Sequence, residues 1–191
     1  FSQQNLTNTA WAFAVRPFVD APLLLAIASA SVRTITEAGL QNLGNTVWAY
    51  SALMLADAPL LHAISDRAVR TIAEFRPLHL SNLAWACAHF RLRDAPLLAA
   101  ISAEAQSKMA EPDFDLNKLA ITAWSFSTLL VEDAPLLSAI STEVLQTLAR
   151  DPLEKSWQPD SLLSLAHAQH TLGSLTEEVL GECAAALRRY R

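Results

Sequence analysis

Residues 38–74 read AGLQNLGNTVWAYSALMLADAPLLHAISDRAVRTIAE, a helix, an acidic-proline start signal at Asp57-Ala58-Pro59, and a second helix. The Asp57 carboxylate is placed to accept from free backbone N–H groups two or three residues on. Pro59 falls in the first turn, where its missing donor costs little. The stretch is one helical hairpin, and the remainder of the chain repeats it.

Trp11, Trp48, Trp85 and Trp124 each stand nine residues before an acid, Asp20, Asp57, Asp94 or Asp133, that opens a DAPLL box. Leu6, Leu43, Leu80 and Leu119 lie five residues before those tryptophans, and Phe1, Ala38, Phe75 and Phe114 lie ten before. A fifth copy fits the frame with Trp157 at the Phe step, Leu162 at the Leu step, His167 for Trp and Thr176 for Asp. Self-similarity at such a period predicts an all-α fold, an α-solenoid of about five helix-turn-helix repeats. The repeats are approximately 1–37, 38–74, 75–113, 114–156 and 157–191, with a period that grows from 37 to 39 and then 43 residues. A repeat array is quasi-linear, so the whole chain reads as a single solenoid.

The same signals recur along the chain. Ser2 caps a first helix that reaches about Val15, and Arg16-Pro17 ends it. Leu23, Leu24 and Ile27 are expected to face the core, with Ile64, Ile101 and Ile140 in the place of Ile27. The second helices continue through Val32 and Ile35, Val69 and Ile72, Met109, and Leu145 and Leu148, a spacing that predicts one buried stripe. Gly39, Arg76-Pro77, Glu111-Pro112 and Asp151-Pro152 read as helix breaks. In the last copy Trp157 and Pro159 open a helix that Gly173 ends. Thr176-Glu177-Glu178 starts another, with Arg188, Arg189 and Arg191 where a helix dipole favours cations. The tryptophans of successive copies are expected to form a buried ladder, so that Trp48→Ala or Trp85→Ala would cost roughly 3 to 5 kcal/mol.

Composition narrows the function. The hydrophobic content is 52% and the mean hydropathy +0.22, which suits repeats that pack on both flanks. The longest uncharged stretches still carry polar side chains such as Gln41, Asn42, Asn45 and Thr46, so no membrane insertion is expected. Cys87 and Cys183, the only cysteines, offer neither a disulfide scaffold nor a zinc module. The sequon Asn5-Leu6-Thr7 places Leu6 at a buried step and is a poor glycan acceptor. The chain begins at Phe1 in phase with the repeat, which reads as an excerpt in which a targeting segment would not be visible.

Catalytic chemistry finds little support. The four glycines build no phosphate-cradling loop. His167 and His170 share a helix face, but no carboxylate or thiol at ligand spacing completes a metal set. Cys87 and His89, two residues apart on a helix, point apart and spoil a nucleophile–base pair. No catalytic residue, metal or cofactor is assigned, and the chain reads as a non-enzyme.

Polar positions recur on the first helices. Four residues beyond the Phe step stand Asn5, Asn42, His79, Lys118 and Ser161; seven beyond stand Asn8, Asn45, Asn82, Ile121 and Ser164. The eleventh step is small, with Ala12, Ala49, Ala86, Ser125 and Ala168. Together they define a polar strip turned away from the Trp and Leu stripe. Such a strip suits a ligand with a polar edge; alternatively, asparagine and small residues ease helix packing or cap neighbouring backbone. The net charge of −5 and pI of about 5.5 oppose a general phosphate-binding surface. Between Arg67 and Arg93, however, Arg67, Arg70, Arg76, Arg91 and Arg93 face only Glu74, which permits a local basic patch. Its alternative is a set of solvated helix ends.

The runs FSQQNLTNTAWAFAV, LQNLGNTVWAYSAL, LSNLAWACAHF and LNKLAITAWSFSTL resemble the first-helix signature of octotricopeptide repeat proteins. They are also similar to the repeats that precede RAP domains in organellar RNA-processing proteins of algae, dinoflagellates and apicomplexans. The resemblance covers nearly the whole chain, although the family's proline-rich, tryptophan-ending tract is represented only by DAPLL and no RAP domain is visible in this stretch. It implies a right-handed superhelix that binds single-stranded RNA in a chloroplast or mitochondrion, serving transcript maturation, stability, translation or ribosome assembly. The implied RNA contacts are Asn5, Asn8, Asn42, Asn45, His79, Asn82 and Lys118 toward bases and Arg76, Arg91 and Arg93 toward phosphates. At about one base per repeat, five copies would cover about five nucleotides. The alternative function is a protein-interaction scaffold, an accessory subunit of a larger complex.

Overall fold

The computed structural model describes residues 1–16, 19–150, 159–172, 179–181 and 184–185. The fold is an all-α helical repeat, with no strand among the described residues. Its main helices are α1 (Gln3–Val15), α2 (Ala21–Arg33), α3 (Leu40–Ala52), α4 (Ala58–Thr71), α5 (Pro77–His89), α6 (Ala95–Lys108), α7 (Leu116–Thr128), α8 (Ala134–Arg150) and α9 (Pro159–Leu172). Two compact units divide the chain, Phe1–Ile101 and Ser102–Arg191, so that α6 contributes its first half to one and its second half to the other.

Six of the helical starts share one cause. The Ser2 side chain accepts from Asn5 N–H at 3.3 Å. The four DAPLL acids do the same: Asp20 accepts from Leu23 N–H at 3.1 Å, Asp57 from Leu60 at 2.9 Å, Asp94 from Leu97 at 3.1 Å and Asp133 from Leu136 at 3.0 Å. Each bond satisfies one of the donors that a helix N-terminus leaves free. Asp115 caps α7 in the same way, accepting from Lys118 N–H at 3.0 Å.

The ends of α3, α5 and α7 share a less obvious device. Met54, Arg91 and Leu130 have φ of 54°, 53° and 52° and occupy the same step of three successive copies. Behind them Leu55 N–H reaches back to Tyr50 O at 2.9 Å, Leu92 to Cys87 O at 2.8 Å and Val131 to Phe126 O at 2.9 Å. These are the long closing bonds of a left-handed C-terminal cap, a place that favours glycine. The second helices end earlier than Gly39 and Arg76-Pro77 suggest. α2 and α4 stop at Arg33 and Thr71, followed by single 3-10 turns at Ile35–Glu37 and Ile72–Glu74. At these ends the Thr34 and Thr71 hydroxyls donate to the carbonyls of Ala30 and Arg67, at 3.1 and 3.0 Å. Gly39 and Arg76 instead serve as the N-caps of α3 and α5.

In the first unit α1 packs on α3 and α3 on α5, while α2 packs on α4 behind them. Leu6, Leu24, Ile27, Leu43, Tyr50, Leu60, Ile64, Phe75 and Leu80 fill the interior. Gln3 Nε2 donates to Ser31 O at 2.7 Å, the Thr7 and Thr46 hydroxyls meet at 2.9 Å, and Ser65 Oγ donates to Asp94 Oδ2 at 2.5 Å. In the second unit α7 packs against α8 and α9. Phe114, Leu119, Phe126, Leu136, Ile140, Val144, Leu162 and Leu165 are buried there, and Ser161 Oγ donates to Asn117 Oδ1 at 3.0 Å.

Three packing expectations need correction. Leu23 is 39% exposed, whereas its counterparts Leu60 and Leu136 are fully buried; among the described residues no hairpin packs over the first copy at that step. Val69 is exposed, and Val32, Ile35, Ile72 and Leu145 are only half-buried. Ile35 and Ile72 fall in the 3-10 turns that follow α2 and α4. The buried tryptophan ladder is absent: Trp11 is 46% exposed, and Trp48, Trp85 and Trp124 are half-buried. The leucine column, Leu6, Leu43, Leu80 and Leu119, occupies the interior instead. Pro17, the Asp151-Pro152 break, Trp157, Gly173, the Thr176–Glu178 helix start, Cys183 and the arginines at 188, 189 and 191 lie outside the described residues.

A polar and aromatic strip on the first helices

α3 shows how the strip arises. It is flanked by α1 and α5 and backed by α4, and from Leu43 onward its side chains are buried except Asn45, Trp48 and Ala52. Gln41 and Asn42 precede these on the same side. Gln41, Asn45, Trp48 and Ala52 stand four, three and four residues apart, a single helical stripe. α5 repeats it with Leu78, His79, Asn82, Trp85 and His89, and on α1 the corresponding Asn5, Asn8 and Trp11 are all exposed.

The asparagines therefore do reach solvent, but the tryptophans stand among them rather than on the opposite face. Trp follows Asn by three residues in each of the first three copies, so the helical period puts both on one side. Reading Trp as core material hid this relationship. Gln41 and His89 belong to the strip as well, and the same period would have found them. The small eleventh step is buried at Ala49, Ala86, Ser125 and Ala168 and serves packing.

None of the Asn8, Asn42, Asn45 and Asn82 side chains makes a hydrogen bond to another described residue. They neither cap backbone nor pair across helices. His79 is held differently. Gly44 has no side chain, and a Cβ there would come within 3.3 Å of His79 Cδ2, so the imidazole lies against α3. His79 Nδ1 also accepts from Arg76 N–H at 3.4 Å, and the ring meets Phe75 edge-on at 6.0 Å. Burial, and then the nearby Arg76 charge, lowers its pKa below 6.5. His79 thus presents a neutral ring at pH 7. On the same helix the Trp85 indole stacks on His89, with centroids 4.9 Å apart and planes 25° apart. His89 Nε2, shielded from solvent, has no hydrogen-bond partner.

The basic residues are not gathered. Arg76 precedes α5 and Arg91 follows it, so about 20 Å of helix separates them. Arg93 lies in the exposed loop beyond. Arg91 and Arg93 make no ion pair among the described residues. On α7 Lys118 is ion-paired with Asp115, one turn back. Ser161 is buried against Asn117. α1, α3 and α5 carry no acidic side chain at all. In the first unit the acids lie instead on the second helices, at their caps and in the turns that follow them, as with Asp57, Asp66 and Glu74.

Burial pushes the Cys87 thiol up to about 12, and the Asp94 charge adds to this. The thiol is protonated and inert at neutral pH. Among the described residues no three His, Cys, Asp or Glu side chains gather as a metal site, and no helix is long and apolar enough to cross a membrane. His167 is exposed; the His170 side chain lies outside the described residues. No protein-family model matches the chain, and no curated protein matches it.

Proposed function

We propose that the chain is a non-catalytic helical-repeat module that binds single-stranded RNA along the strip of α1, α3 and α5. The observation that carries this reading is the set of uncommitted amides, Asn8, Asn42, Asn45 and Asn82, on helices free of acidic side chains. An amide offers a donor and an acceptor side by side, which matches the edges of unpaired bases. Phosphates approaching this layer meet no carboxylate on it, and Arg76 and Arg91 stand at the two ends of α5. The octotricopeptide-like signature supports the same assignment, with a chloroplast or mitochondrial setting and a role in transcript maturation, stability, translation or ribosome assembly.

The test is binding of the purified chain to a pool of single-stranded RNA at two salt concentrations, with double-stranded RNA as control. Saturable binding that weakens with salt and prefers single strands is expected. Asn45→Ala and Asn82→Ala should each weaken it, and unchanged affinity in both would remove the strip from the interface.

A second reading, a protein-interaction scaffold, is favoured by the end of the first unit. Exposed Phe1 and Leu23 there line a cavity of about 230 Å³ together with Leu6, Ala26 and Ile27. Binding of a protein partner that salt does not weaken would support it.

A further inference from the structure

We infer that the tryptophans of the first unit are stacking platforms for unpaired bases, each forming a base-sized site with the asparagine three residues before it. This rests on the RNA reading above and adds residues that the polar strip left out.

The geometry is repeated three times. Asn8 and Trp11 stand on α1, Asn45 and Trp48 on α3, Asn82 and Trp85 on α5, and all six side chains are exposed or half-buried. A residue three further along a helix lies beside its predecessor, so each amide sits next to an indole on the same exposed side. An indole supplies a face to any base, and an amide supplies hydrogen bonds to that base's edge. Single-strand binders combine these two elements, because stacking tolerates sequence while edge contacts refine it. An indole is too large to be covered completely on a helix with one open side. Here the leucine five residues before each one fills the interior, which leaves the indole partly in water at a cost that an external partner relieves. Trp85 is further oriented by stacking on His89, whose Nε2 is shielded and unpartnered beside it.

The second unit provides an internal contrast. At the same steps α7 carries Ile121 and Trp124, and α9 carries Ser164 and His167. Neither helix has the amide–indole pair. Base recognition of this kind therefore belongs to α1, α3 and α5.

The test compares a short oligoadenylate, an oligouridylate and an abasic ribose-phosphate oligomer of equal length. The full chain is used as wild type and as Trp48→Leu, Trp85→Leu and Trp124→Leu, each checked by circular dichroism. Both base-bearing oligomers should bind more tightly than the abasic one. Trp48→Leu and Trp85→Leu should each lose about tenfold in affinity for them, while Trp124→Leu stays at the wild-type value. Indole fluorescence of the wild type should be quenched by base-bearing oligomers and not by the abasic one, a readout independent of how any variant folds. Equal binding of all three oligomers without quenching would leave RNA binding intact and overturn the stacking assignment. Failure of the wild type to bind any base-bearing oligomer at low salt would overturn the RNA reading and this inference with it.

Discussion

The Tyr50 hydroxyl on α3 donates to the Leu24 carbonyl on α2 at 2.6 Å, joining the first helix of one hairpin to the second helix of the hairpin before it. Tyr50 is fully buried, so the bond replaces water on both partners. Tyr50→Phe keeps the ring and removes the donor, and should cost about 1 kcal/mol in a denaturant titration. Burial raises the phenol's pKa above its usual 10.0, and the Asp57 charge raises it further. The unfolded chain then loses this proton first, so the wild type should become less stable as the pH rises above about 10. Tyr50→Phe should lack that part of the alkaline loss.

Burial of the leucine column and exposure of the tryptophan column reverse the energetic ranking that large side chains suggest. Leu43→Ala and Leu80→Ala each empty a fully enclosed site and should cost about 2 to 5 kcal/mol. Trp48→Leu, at a half-buried site, should cost less than either. Thermal melts of the three variants decide the order. A larger loss for Trp48→Leu would place the indole back in the core.

The fold was legible because its signals are local. Ser2 and the DAPLL aspartates act over three residues of backbone, and the Trp-to-Asp distance repeats without error through four copies. The site was half legible. Asn45 and Asn82 recur, and recurrence singled them out, but burial depends on which neighbours cover a helix, and no single hairpin carries that information. Trp48 therefore looked like core until α1, α4 and α5 were in place around α3 and left its side open. The ends of α2 and α4 were hidden for a different reason. Thr34 and Thr71 are ordinary residues that carry no stop signal, whereas Gly39 and Pro77 are conspicuous breakers that act on the next helix.

Met54, Arg91 and Leu130 hold a left-handed backbone that costs an L-residue roughly 1 to 2 kcal/mol and costs glycine little. Met54 is 77% and Leu130 58% exposed, so their side chains have little packing to lose. Met54→Gly and Leu130→Gly should each stabilise the protein by about 1 kcal/mol, read as a higher denaturant midpoint. Gly39→Ala is the matching control. Gly39 has φ −70°, which alanine adopts freely, and open space where a Cβ would go. It should therefore not lose stability.

Gly44 and His79 give the acid side of the stability curve. The ring lies against α3 because Gly44 has no side chain, and burial followed by the Arg76 charge lowers its pKa below the 6.5 of an unperturbed histidine. As the pH falls through 6.5 the unfolded chain takes up this proton before the folded one does. Stability from His79 is therefore present above that pH, declines below it, and levels off once the folded form is also protonated. His79→Gln should flatten this segment of a denaturant-midpoint series against pH, and NMR titration of the wild type should place the His79 midpoint below 6.5. A midpoint above 6.5 would mean that the ring is held as a cation. The neutral hydrogen-bonding group at the centre of the strip would then have to be replaced by a phosphate-binding one.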